Sequence, residues 1–142
     1  MREGTISHHA ALIYTMLLVS AADRRMPDSE LRVIGEMINF LPIFRDYDPK
    51  LFTLVTASCA ELLDDDQGLE HALDLIDAGL PPALYETAYA LACDIALADG
   101  RVTQEERRVL DLLRRRLRID RLASVAIERA SEVRHMTLPS SE

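Results

Sequence analysis

An all-α fold, a compact bundle of about seven helices, is what this 142-residue chain predicts, and three observations carry that expectation. Gly and Pro are scarce, at 5 and 6 residues, while the helix formers Ala, Leu and Arg are plentiful. Apolar residues recur at three- and four-residue spacing along most of the chain. No segment reads as a strand. The length suits one domain, 1–142, with a core over about 6–135 and a loose tail from 137 to 142.

The first helix spans about 6–22, with Leu12, Met16 and Val19 on one stripe. The second spans about 27–40, its Leu31, Ile34, Ile38 and Leu41 at helical spacing, and Pro42 ends it. The third covers about 49–63, with Pro49 at a first helical position and Leu51, Leu54, Val55 and Leu62 facing inward. Asp64-Asp65-Asp66 interrupt the run and offer a cap to a fourth helix, about 66–78. Gly79 closes that helix as a left-handed cap ahead of Pro81-Pro82. The fifth, about 81–98, is the most apolar, and Leu84, Ala88, Leu91, Cys93 and Ile95 mark it as the centre of the core. A sixth covers about 104–117 and a seventh about 120–135. Short connections make successive helices antiparallel neighbours.

One stretch occurs twice. Residues 22–34, Ala-Asp-Arg-Arg-Met-Pro-Asp-Ser-Glu-Leu-Arg-Val-Ile, return at an offset of 76 as Ala-Asp-Gly-Arg-Val-Thr-Gln-Glu-Glu-Arg-Arg-Val-Leu at 98–110. Asp23 pairs with Asp99, Glu30 with Glu106, Arg25 with Arg101 and Arg32 with Arg108. The chain therefore reads as two pseudo-repeated helix-loop-helix halves. A pseudo-twofold arrangement of the halves brings the two acidic loops near one another.

In the second copy, Thr103-Gln104-Glu105-Glu106 is a capping box, which by itself accounts for Glu106. Gly100 accounts for the turn through a positive φ. In the first copy Pro27 stands where Thr103 stands in the second. Proline has neither a hydroxyl to cap with nor an N–H for Glu30 to accept from. The Asp23–Glu30 spacing thus survives where the cap does not, and a divalent cation is a reason to keep it. Asp99 and Glu106, then Asp23 and Glu30, and last Asp94, are the candidate metal ligands. Asp94 has an equally simple reading as part of an outer face shared with Glu86 and Ala90. All are oxygen donors, so calcium, magnesium or manganese suits them better than zinc.

Other chemistry is poorly supported. The net charge of −8 argues against nucleic-acid binding. The charge is uneven: residues 51–100 hold ten acids and no Lys or Arg, whereas 101–142 hold ten Arg and seven acids. The acidic third is a solvated face or an attractor of cations and basic partners. The run Arg114-Arg115-Arg116, with Arg118 and Arg121, is a solvated helix end or a docking patch for an acidic partner, including a second copy of the chain. Cys59 and Cys93 sit in apolar helical runs and read as small buried hydrophobes, which fits a reducing compartment. His8-His9 reads as a solvated N-terminus, His71 as exposed, and His135 as close to a frayed end. No apolar run reaches the length of a membrane span. No phosphate loop, Cys-x-x-Cys or Ser-His-Asp order is present.

The Ala-Asp-Gly-x-Val-x-x-x-Glu signature at 98–106, followed by Arg-Arg-Val-Leu-Asp-Leu-Leu-Arg-Arg-Arg-Leu, resembles the tellurite-resistance TerB family. The pairing of two such units around a helical centre resembles it too, over about 10–135. The first copy departs from the family pattern in placing Arg24 where Gly is usual. The resemblance implies an all-helical, cytoplasmic, TerB-like stress-response module with acidic residues proposed to bind metal. The expectation is therefore a non-enzymatic module that binds a divalent ion and engages a protein partner or a second copy. The alternative is an interaction scaffold without metal, whose carboxylates only cap helices and neutralise Arg25 and Arg101.

Overall fold

Seven α-helices and two 3-10 turns make up the regular structure of a computed structural model that describes residues 5–23 and 26–139. Arg24 and Arg25, the chain start through Gly4 and the tail from Ser140 lie outside the described residues, so the expectations for Arg24, Arg25 and the tail's end do too. The helices are α1 (His8–Ser20), α2 (Asp28–Phe40), α3 (Leu51–Leu63), α4 (Gly68–Gly79), α5 (Tyr85–Ala96), α6 (Gln104–Arg116) and α7 (Arg121–Arg134). No strand occurs among the described residues, and no helix there is long and apolar enough to cross a membrane.

The centre of the core is α1 rather than α5. Eleven of its thirteen residues are buried, against seven of twelve in α5. The stripe of Leu12, Met16 and Val19 is real, but Ala11, Ile13, Leu17 and Leu18 are equally buried because α1 is covered on every side, by α2 to α6. A helix apolar all round has no one-sided stripe to read. The two halves interlock reciprocally: α1 packs on α5, α1 reaches α6 and α2 reaches α5.

Several local expectations give way to packing. Leu51 and Leu54 face outward, 43% and 67% exposed, so α3 contributes only Cys59 as a fully buried residue. Asp64–Asp66 do not cap α4, which begins at Gly68 behind Gln67 with no side-chain cap. Gly79 is not left-handed; α4 ends at Leu80 in extended backbone. Its smallness serves packing, since a Cβ there would lie 2.9 Å from the Ile6 carbonyl oxygen and 3.3 Å from Ala11 Cβ. Pro81 and Pro82 begin a 3-10 turn over Pro82–Leu84 before α5 starts. His9 is buried, not solvated: its Nε2 lies 2.8 Å from the Ile43 carbonyl oxygen and its ring stacks on Phe44. Both cysteines are buried free thiols, and burial pushes each up to about 12.

Candidate functional site

The two acidic loops meet. Each follows a buried helix, α1 or α5, and opens a helix whose first turn carries a carboxylate. In the second loop Gly100 takes φ 79°, as the turn requires. Thr103 then caps α6: its hydroxyl accepts from Glu106 N–H at 3.1 Å, and Thr103 N–H donates to Glu106 Oε1 at 2.9 Å. The expected capping box is complete. In the first loop Met26 takes φ 50°, an uncommon conformation for a residue with a side chain, and donates its N–H to the Ser20 carbonyl. Pro27 occupies the cap position of α2 with no side-chain hydrogen bond.

Glu30 is the outcome of that difference. It is only 3% exposed, yet its Oε1 has no hydrogen-bond partner among the described residues. Ser20 Oγ is close enough to favour the charged form, but neither oxygen completes a well-formed hydrogen bond. Burial first, then the proximity of Asp99 and Glu106, pushes the Glu30 carboxyl up to about 7. Glu106 is also buried, which raises it, while Thr103 lowers it and the charges of Asp23 and Asp99 raise it further. The charge of Glu106, itself held by a backbone N–H, bears in turn on Glu30. Asp99 is exposed and accepts from Ser29 Oγ at 3.4 Å, which ties the second loop to the start of α2.

The structure therefore gathers Glu30, Asp99 and Glu106, with Asp23 acting on Glu106. It does not add Asp94. That carboxylate accepts from Ser131 Oγ at 2.6 Å and from Arg134 at 2.7 Å, and so fastens α7 to α5. Its side chain is 14% exposed, so the outer-face reading fails as well: α7 covers it. Ser20 and Ser29 escaped the sequence reading, because their repeat counterparts are Ala96 and Glu105 and nothing in the repeat marks them. A lone serine ending an otherwise apolar helix was the one signal available for Ser20.

As a donor set the centre fits a hard cation: it offers only carboxylate and hydroxyl oxygens, one of them buried and unpartnered. As geometry it is not a finished cage, since no three His, Cys, Asp or Glu side chains among the described residues stand grouped as a metal would hold them. Asp99, exposed on its loop, already lies close enough to raise the Glu30 carboxyl.

No curated protein and no solved structure matches the chain. A family model described as Tellurite resistance protein TerB matches residues 9–129. That span takes in both acidic loops and all of the helices except the first residue of α1 and the last five residues of α7, and the chain belongs to the TerB tellurite-resistance family.

Proposed function

We propose that this TerB-family chain is a non-enzymatic stress-response module whose paired acidic loops bind a divalent cation, calcium, magnesium or manganese in preference to zinc. The observation that carries the reading is Glu30: a buried carboxylate with an unpartnered oxygen, crowded by two other acids. Burying such a group without a partner costs stability, and a cation at its open oxygen offsets that cost. Glu30 and Asp99 are the principal ligands, with Glu106 and Asp23 completing the charge and water or backbone carbonyls the remaining coordination. Bound there, the ion joins α2 to the loop before α6 and stiffens both.

A second reading, an interaction scaffold without metal, draws support from Glu106, whose Oε1 is already committed to its capping box. Isothermal titration of the chelated chain with each ion separates the two. The cation reading predicts binding of one ion per chain, released by Asp99→Asn and Glu30→Gln. A scaffold gives no heat with any of the four ions at millimolar concentration.

A further inference from the structure

Two surface features that the acidic centre does not use are complementary. The first is a groove of about 650 Å³ between the C-terminal ends of α1 and α3 and the start of α4. Leu18, Ala60, Leu63 and Val109 give it an apolar floor, and Asp64, Asp65 and Asp66 form one edge. Those three carboxylates are exposed at the C-terminal end of α3, where the helix dipole disfavours negative charge. Other acids of this third are already answered, Glu70 and Asp74 by Arg116 and Asp94 by Arg134. Asp64–Asp66 have no ion pair among the described residues.

The second feature is the corner between α6 and α7. Arg118 and Arg121 are exposed and have no ion pair among the described residues. Beside them Leu122 and Val125 project from the first turns of α7, 83% and 51% exposed. The intervening acid, Asp120, is tied to the helix start, accepting from Ala123 N–H at 2.8 Å. The corner is thus a short apolar ridge flanked by guanidinium groups. The chain already shows how an arginine seats on its acidic third, since Arg116 meets Asp74 at 2.6 Å.

We propose that the groove of one copy takes the Arg118–Val125 corner of a second copy. Leu122 and Val125 cover the apolar floor, and Arg118 and Arg121 face Asp64–Asp66. Apolar contact holds such an interface while complementary charge sets its register and speeds encounter. The contact joins two unlike surfaces, one of each kind on every chain.

Sedimentation of the full chain tests this. The average mass should rise with protein concentration, and added salt should weaken the rise. Asp64→Asn, Asp65→Asn and Asp66→Asn together should weaken association about tenfold. Leu122→Glu, made separately, should abolish it, by burying a carboxylate against the apolar floor. An equimolar mixture of the two variants should regain association, because one supplies an intact groove and the other an intact corner. All substituted positions are exposed, so neither variant should unfold at a lower temperature than the parent. A parent that stays monomeric at the highest concentration overturns the proposal and leaves the groove to a basic segment of another protein. So does a mixture that associates no better than its components.

Discussion

Glu30 sits where α1, α2 and the second acidic loop converge, and its protonation is the most informative titration in the molecule. Its carboxyl ionises near 4.5 when unfolded and near 7 when folded. The folded chain therefore holds this proton more tightly than the unfolded chain. The resulting stability is fully present below pH 4.5 and is lost as pH rises through 7, a fall of up to ~3 kcal/mol. In chelated protein, Glu30→Gln should remove this slope and leave the variant more stable than the parent at pH 8, which urea unfolding across pH 4–8 measures. A parent flat over that range would contradict the burial argument. A cation that binds the ionised centre should reverse the slope, binding more tightly as pH rises and releasing a proton as it binds. Thr103 offers the contrasting case of a cap that serves the helix alone. Thr103→Ala should cost about 1 kcal/mol by denaturant unfolding, from the loss of the hydroxyl that accepts the Glu106 N–H, while the backbone N–H that donates to Glu106 Oε1 is retained. The Glu30–Glu106 contrast was legible from Pro27 against Thr103, because a missing hydroxyl and a missing N–H are facts of residue type. That Glu30 would be buried beside Ser20 was not, because it depends on how α1 ends against α2.

Helix boundaries were legible to within about two residues for six of the seven helices, since Pro42, Pro81-Pro82, Thr103 and Asp120 act on the backbone locally. Faces were less so. Leu51 and Leu54 obey helical spacing yet point to solvent, because periodicity says which residues share a face and not whether another helix covers it. Gly79 looked like a left-handed cap and is instead a close approach to Ile6 and Ala11, a contact between elements far apart in sequence. Gly79→Ala should therefore cost about 1–3 kcal/mol by overpacking, where a glycine tolerant of a side chain would lose nothing in thermal unfolding. Asp94 belongs to the same level. Its ties to Ser131 and Arg134 are the polar fastening of α7 to α5. Asp94→Ala should speed hydrogen exchange in the last two turns of α7 and leave ion binding intact. Lost ion binding with α7 unchanged would return Asp94 to the metal centre.

At the scale of the whole molecule, two related halves enclose α1 and α5 and set the loops that follow them face to face. The convergence of Glu30, Asp99 and Glu106 makes the folded state repel itself at one point. The repeat in the sequence announced that convergence, because two helix-loop-helix units packed reciprocally must bring equivalent loops together. It could not announce the asymmetry between them, in which one carboxylate is answered by its own helix and the other is left open. The central claim is that a divalent cation answers it. The direct test is thermal unfolding of the chelated chain at pH 8, with calcium, magnesium, manganese and zinc added in turn, beside Asp99→Asn. A stabilising ion at a hundredfold excess over its dissociation constant should contribute about 2.7 kcal/mol and raise the midpoint by about 5–10 °C. That rise should shrink or vanish in Asp99→Asn. A midpoint unmoved by every ion at millimolar concentration, or moved equally in the variant, would contradict the account.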